Sequence, residues 1–164
     1  MKLSTNFVKD YVDIDVDVKT LAEDMRRVGN EYDSAEKLIN ATNLVIGEIK
    51  ECKDHPDSDH LHLCKVDIGT EILDIVCGAP NARKGLKVIV ALVGAELPGG
   101  ITIKKGKIRG EESNGMLCSI AELGIENKFL TDADKNGIHE LPVDAPVGGD
   151  PIKYMKMDDE VIDF

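Results

Sequence analysis

Hydrophobic and polar residues alternate along the middle of this chain, between residues 44 and 92. Such alternation, rich in β-branched side chains, indicates strands, because successive side chains of a strand point to opposite faces. The pattern predicts four strands here and a fifth after the Pro98-Gly99-Gly100 turn. The predicted strands are residues 45–50, 61–67, 72–77, 86–92 and 101–109.

The first forty residues have a helical pattern that then becomes extended. Ser4 is placed to cap a short helix, and Asp17 is placed to cap a second one. In the second helix, one apolar face is predicted from Val18, Leu21, Met25 and Val28. Residues 31–39 are predicted to be extended, 113–124 to form a short helix, 127–150 to be rich in loops, and 160–164 to form a strand.

These elements predict a mostly β protein with short helices, of the α+β class. Five short strands separated by turns favour an oligonucleotide/oligosaccharide-binding (OB) barrel over a sandwich. The connections between the strands are too short for βαβ crossovers, which argues against a doubly wound fold.

The net charge changes what such a barrel can bind. The chain has 164 residues, of which 42% are hydrophobic and 31% charged, and its formal net charge is −11. Nucleic-acid-binding domains usually carry a basic face. Any site for a polyanion must therefore be a local basic strip on an acidic body, and we expect it to make weak, salt-sensitive accessory contacts.

The compartment is predicted from what the sequence lacks. The N-terminus does not resemble a signal peptide, and no apolar stretch approaches the ~20 residues that span a bilayer. The four cysteines are dispersed, as expected for reduced, mostly buried thiols. We expect a cytoplasmic protein without membrane contact.

One basic strip stands out within the predicted fifth strand. Lys104, Lys105, Lys107 and Arg109 lie within six residues, and on a strand the last three would share one face. Four phosphate contacts would give a slope of log K against log salt of roughly −3. The alternative is a solvated edge strand that its lysines protect from aggregation. Both interpretations stay open, and Arg83 with its neighbouring lysines can extend the strip.

Other chemistries are weaker candidates. The spacing of Cys52, His55, His62 and Cys64 permits a zinc site, but it lacks the paired knuckles that make such motifs specific. Residues 132–137 imitate the start of an EF-hand loop without the glutamate needed at its end. The nucleophile candidates Cys118 and Ser119 have no histidine nearby in sequence. We expect neither catalytic residues nor a metal. With no tryptophan and few other aromatic residues, shape and phosphate contacts to a folded RNA are favoured over base stacking.

Three runs of residues carry a resemblance to a known family. They are HPDSDHLHLCKVDIG at 55–69, VCGAPN at 76–81 and SNGMLCS at 113–119. They resemble the tRNA-binding OB domain of aminoacyl-tRNA synthetases and stand-alone tRNA-binding proteins. Together with residues 1–14, 21–23, 31–38 and 159–164, the whole chain resembles the N-terminal region of the bacterial phenylalanyl-tRNA synthetase beta chain.

This resemblance implies a domain organisation and partners. Residues 1–39 and 150–164 would form a discontinuous, truncated first domain, with the OB domain at 40–149 inserted into it. The full enzyme would be an α2β2 heterotetramer that joins phenylalanine to tRNA with ATP, and the alpha chain would hold the chemistry. The present segment would be non-catalytic and without a cofactor, since ATP and magnesium would bind elsewhere. It would contact tRNA, and no DNA.

The candidate RNA-binding residues follow from the basic strip and from the resemblance. Two departures from the family pattern weaken the phosphate-binding argument, because neutral imidazoles occupy positions where longer cations are usual. The primary candidates are Lys104, Lys105, Lys107 and Arg109, and the secondary ones are His60, His62 and Arg83.

Three alternatives remain on sequence grounds. The first is a protein-interaction or structural module with little RNA affinity, which the acidic balance favours. The second is a stand-alone structure-specific tRNA-binding protein, which would leave residues 1–39 and 159–164 without a role. The third, a metal-dependent enzyme, would contain stoichiometric zinc.

Overall fold

The computed structural model describes residues 1–164, which form twelve strands, four α-helices and two 3₁₀ helices. The strands are β1 (Lys2–Ser4), β2 (Ser34–Lys37), β3 (Leu44–Asp54), β4 (His62–Asp67), β5 (Ile72–Cys77), β6 (Lys87–Ala91), β7 (Glu96–Leu97), β8 (Ile101–Thr102), β9 (Gly106–Ile108), β10 (Glu111–Ser113), β11 (Met116–Leu117) and β12 (Glu160–Asp163). The α-helices are α1 (Thr5–Lys9), α2 (Val18–Arg27), α3 (Asp132–Asn136) and α4 (Pro151–Tyr154), and the 3₁₀ helices are Ala121–Leu123 and Asn127–Phe129.

The chain folds as two compact units, residues 1–39 with 155–164 and residues 40–154. No helix in the structure has the length and apolar character needed to cross a membrane.

The second unit is built on a five-stranded antiparallel sheet in the order β11–β6–β3–β4–β5. The sheet curls until its edges nearly meet. The N–H of Asn114, just before β11, donates to the carbonyl of Asp74 in β5 at 2.8 Å. The N–H of Val76 in β5 donates to the hydroxyl of Ser113 at 3.1 Å. The result is a nearly closed, OB-like barrel, and the predicted fold class is confirmed.

The barrel interior is filled by the inward-facing side chains of its strands. Ile49, Val66, Val88 and Val90 are fully buried there, and Ile75 is almost so. Gly47 in β3 lies where the interior is tightest. A Cβ atom there would lie 2.7 Å from Val66 Cγ1 and 2.8 Å from Val90 Cγ2, so the barrel leaves no space for a side chain.

The predicted fifth strand is wrong, although four of the five were found. Residues 101–109 do not form one strand, because residues 103–105 separate β8 from β9. Turns with positive φ angles at Gly99, Gly100, Arg109 and Gly110 reverse the chain on either side of the segment. The segment instead supplies β8 to one hairpin and β9 to another. The fifth strand of the barrel is β11, inside the region predicted as a helix, of which only a 3₁₀ turn forms.

The first unit is a three-stranded antiparallel sheet in the order β1–β12–β2, accompanied by α1 and α2. Both predicted caps are confirmed. The hydroxyl of Ser4 accepts from Phe7 N, and the carboxylate of Asp17 accepts from Lys19 N and Thr20 N. Val28 lies beyond the end of α2 and is 78% exposed, so its predicted place on the apolar face was wrong.

Candidate nucleic-acid interface

The basic strip lies on and beside the β9–β10 hairpin. Its register pairs Ile108 with Glu111, so the turn consists of Arg109 and Gly110. Their φ angles are 50° and 85°, as in the type I′ turns that favour two-residue hairpins. The hairpin belongs to the long connection between β6 and β11, the fourth and fifth barrel strands.

His55 joins this hairpin to the connection between β3 and β4. Its ring is almost fully buried. The N–H of Asp57 donates to Nδ1 at 3.0 Å, so Nδ1 carries no proton and Nε2 carries one. Nε2 then donates to the carbonyl of Ile108 at 3.2 Å. The imidazole is therefore neutral and bonds to the backbone of both loops.

Arg109 forms a second link between the same two loops. Its Nη1 donates to the carbonyl of Asp57 at 3.2 Å. OB folds bind oligonucleotides with the loop between strands one and two, the loop between strands four and five, and the sheet face beside them. In this barrel the two loops are residues 55–61 and 92–115, and the two hydrogen bonds hold them together.

The cations of the strip are free to meet a ligand. Lys104, Lys105, Lys107 and Arg109 are all exposed, and none of them is paired with a carboxylate. The predicted shared strand face is wrong, because Lys105 precedes β9 and Arg109 lies in a turn with left-handed backbone. The hairpin nevertheless keeps the four cations within one short, exposed segment. Their contact with RNA stays a prediction.

The two secondary histidines lie beside the joined loops. His60 is exposed in the loop, with Nε2 3.8 Å from Asp59 Oδ1. His62 begins β4 and is half-buried, with Nδ1 3.4 Å from Asp54 Oδ1. An acidic neighbour therefore accompanies each imidazole, which lowers the attraction of either one for a phosphate.

The contacts of Arg83 are with residues outside the hairpin. It belongs to the connection between β5 and β6, where its guanidinium forms an ion pair with Glu140 and donates to the carbonyl of Asn81 at 3.1 Å. A phosphate would have to compete with that carboxylate.

A cavity of about 360 Å³ separates the hairpin from β4 and β5. Its charges are mixed: Lys53, Lys65 and Lys107 are offset by four carboxylates, which are Glu51, Asp74, Glu111 and Glu112. The hydrogen bond from Lys65 Nζ to Asp74 Oδ1, at 2.9 Å, raises the pKa of the ammonium group. The cavity itself offers little net attraction for a polyanion, so any such attraction comes from Lys104, Lys105 and Arg109, which do not line it.

The alternative zinc site is not assembled. No three histidine, cysteine or acidic side chains in the structure are grouped so that they could hold a metal ion. Both ring nitrogens of His55 are engaged by the backbone. Cys52 and Cys64 do lie close, with their sulfurs 3.9 Å apart.

The sequence does not indicate the role of His55 as a link between two loops, and it offers this residue only as a candidate zinc ligand. Its only sequence signal is its position directly after an alternating strand and before Pro56-Asp57. That pattern predicts a turn but gives no indication that the ring reaches Ile108, 53 residues away.

Comparison with known proteins identifies the family of this barrel. The family model described as "Putative tRNA binding domain" matches residues 44–150. The chain belongs to this family. The match covers the whole barrel and both joined loops.

Relatives extend the similarity to the full chain. It is 49% identical over 166 residues to the phenylalanine–tRNA ligase beta subunit of Pectobacterium atrosepticum, covering 100% of this chain and 20% of that protein. The beta subunit of Shewanella oneidensis is 48% identical over 165 residues, covering 99% and 20%. That of Haemophilus influenzae is 47% identical over 166 residues, covering 100% and 20%. The resemblance is confirmed, and the chain spans about a fifth of the length of these relatives.

Solved structures are more distant. A crystal structure of a MetRS related protein from Pyrococcus horikoshii is 23% identical, with a TM-score of 0.45, covering 65% of this chain and 85% of that one.

Proposed function

We propose that this chain is the tRNA-binding accessory module of a phenylalanine–tRNA ligase beta subunit. The observation that carries the proposal is the group of four unpaired cations on and beside the β9–β10 hairpin, held against residues 55–61 by His55 and Arg109. The hairpin belongs to a domain of a tRNA-binding family. The main contacts to the phosphate backbone of the tRNA are made by Lys104, Lys105, Lys107 and Arg109. Secondary contacts are made by His60, His62 and Arg83.

In this proposal the chain supports aminoacylation without performing it. Its relatives are ligase subunits about five times its length. The ATP-dependent joining of phenylalanine to tRNA takes place elsewhere in a cytoplasmic enzyme that pairs this subunit with an alpha chain, as an α2β2 heterotetramer. The unit formed by residues 1–39 and 155–164 serves as a scaffold, and the barrel is an insertion in its sequence.

The test compares two triple variants of equal charge change. One replaces Lys104, Lys105 and Lys107 with alanine. The control replaces Lys19, Lys135 and Lys153, which are exposed and unpaired on other elements. Binding of unfractionated tRNA is measured by fluorescence anisotropy from 20 to 200 mM salt. Over this range the Debye length, which sets how far charges act, falls from about 20 Å to about 7 Å.

The expected result is a selective loss. Removing three phosphate contacts reduces the magnitude of the slope of log K against log salt by about 2.1–2.7. The control variant keeps the wild-type slope and loses affinity only slightly through the change in net charge. An equal effect of both triple variants would contradict the assignment of the binding site to the hairpin.

A second candidate function, a protein-interaction module, is favoured by the surface of the first unit. Phe7, in α1, and Tyr11, just after it, are 59% and 75% exposed, and their ring centroids lie 5.3 Å apart with the rings tilted against each other. Exposed aromatic residues of this kind are enriched in protein interfaces. Absence of tRNA binding by the wild-type chain at the lowest salt would favour this function over the first.

A further inference from the structure

Two of the four free cysteines face each other across neighbouring barrel strands. Cys52 in β3 lies directly opposite Cys64 in β4, and the two sulfurs are 3.9 Å apart. The thiol of Cys64 donates to the sulfur of Cys52, whose own thiol donates to the carbonyl of Ala82 at 3.5 Å. The proposed RNA contacts use neither sulfur.

The backbone pairing brings these two cysteines unusually close. The N–H of His55 donates to the carbonyl of Leu61 at 2.9 Å, which makes those two residues a hydrogen-bonded pair. Hydrogen-bonded and non-hydrogen-bonded pairs alternate along antiparallel strands, so Cys52 and Cys64, three positions further along, form a non-hydrogen-bonded pair. The Cα atoms of such a pair are about 4.5 Å apart, within the range of about 4.4–6.8 Å for disulfides.

The two thiols differ in their environments. Cys64 is 2% exposed, and its burial raises the pKa of its thiol strongly. Cys52 is only half-buried at the margin of the barrel core. A reagent in solution therefore reaches Cys52 first, and Cys64 lies in position to resolve the product.

We propose that Cys52 and Cys64 form a reversible disulfide in the presence of a low-molecular-weight disulfide such as oxidised glutathione. The Cys52 thiolate attacks one sulfur of the reagent, which forms a mixed disulfide and releases one thiolate. Cys64, as it loses its proton, then attacks the sulfur of Cys52 and releases the second thiolate. The protein loses two electrons and two protons, and the reagent becomes two thiols.

The disulfide changes the contacts of the connection between β5 and β6. Disulfide formation removes the hydrogen bond from the Cys52 thiol to the carbonyl of Ala82, because the sulfur no longer carries a proton. This connection, residues 78–86, therefore loses one of its anchors to the barrel. Thiol–disulfide exchange runs in both directions, so an excess of a reducing thiol breaks the bond again.

The test uses the full 164-residue chain. Reduced protein is incubated with oxidised glutathione, and free thiols are titrated after unfolding. The expected result is the loss of two of the four thiols, with a peptide cross-link between Cys52 and Cys64 in mass spectrometry. Dithiothreitol restores all four thiols, and amide hydrogen exchange within residues 79–86 is faster in the oxidised protein.

Variants make the outcome decisive. Cys64→Ala is expected to accumulate a glutathione adduct at Cys52, whereas the matched control Cys77→Ala still forms the disulfide. Retention of all four thiols in the wild-type chain, or a cross-link that contains Cys77 or Cys118, would overturn the proposal. Unchanged exchange in residues 79–86 after oxidation would overturn its coupling to that connection.

Discussion

The ring of His55 donates a hydrogen bond to the backbone carbonyl of Ile108, 53 residues further along the chain, at 3.2 Å. The same ring accepts from Asp57 N. One buried, neutral imidazole thus fixes the loop in which it lies and the hairpin that carries the cations. A two-stranded ribbon is only marginally stable by itself, so this bond, together with those of Arg109 and Ser113, holds the cations of the hairpin in place.

Replacing His55 with alanine is expected to weaken both stability and tRNA binding. The change removes a buried ring and its hydrogen bonds to Asp57 N and the Ile108 carbonyl, which costs about 1–3 kcal/mol. Urea unfolding measures the free energy, and the tRNA titration measures affinity in the folded protein. His60→Ala is the control, since His60 is exposed and its removal should change the free energy of unfolding by less than about 0.5 kcal/mol. Equal effects of the two changes would contradict the role of the buried ring.

Replacing Gly47 with alanine is expected to destabilise the barrel by about 1–3 kcal/mol. The new methyl group would lie 2.7 Å from Val66 Cγ1 and 2.8 Å from Val90 Cγ2, so the interior must move to admit it. Gly106→Ala is the matched control, because a Cβ atom there has nothing within 4 Å and the backbone is not left-handed. Thermal unfolding of the two variants distinguishes the sites, and similar melting temperatures would show that the interior is looser than the structure indicates.

Arg109→Asn is expected to separate hairpin stability from RNA affinity. Asparagine tolerates the left-handed backbone of this position and precedes glycine in favoured type I′ turns, which offsets the lost bond to the Asp57 carbonyl. The free energy of unfolding should therefore stay within about 0.5 kcal/mol of wild type. The magnitude of the salt slope of tRNA binding should fall by about 0.7–0.9, the value for one phosphate contact. An unchanged slope would remove Arg109 from the RNA-binding surface.

Asp159 is expected to make the first unit sensitive to acid. Partial burial favours the protonated form, but hydrogen bonds from Ser4, Asn6, Glu160 and Thr5 outweigh it, so the pKa of the carboxyl lies below its ordinary value of 3.8. A lowered pKa in the folded state contributes stability that is present above pH 3.8 and is lost as pH falls through the folded-state value.

Asp159→Asn tests this expectation by urea unfolding between pH 7 and pH 2.5. The variant should be about 1–2 kcal/mol less stable at pH 7, where it lacks the charge that strengthens these hydrogen bonds. The difference from wild type should shrink at the acid end, because the wild-type carboxyl is then protonated as well. A difference that stays constant with pH would show that the charge of Asp159 is not involved. Asp158→Asn, at an exposed neighbour, is the control.

The local sequence predicted those elements whose stabilising contacts are also local. Ser4 and Asp17 begin their helices as expected, because a cap bonds to N–H groups two or three residues away. The strands β3 to β6 were found because runs of β-branched and other apolar residues mark them, with alternating burial in β4 and almost continuous burial in β6. The fifth strand was missed because β11 has only two residues, too few for any periodicity to show.

The sequence by itself determined the class of fold, the barrel strands that alternate strongly, the cluster of cations at 104–109 and the family of the barrel. Only the tertiary structure decided where that cluster lies. Arg109 and Gly110 turn the segment into a hairpin, and His55 attaches the hairpin to a distant loop. Hydrogen bonds between residues so far apart in the chain leave no periodic trace in either segment, because they depend on how the closed barrel brings its connections together.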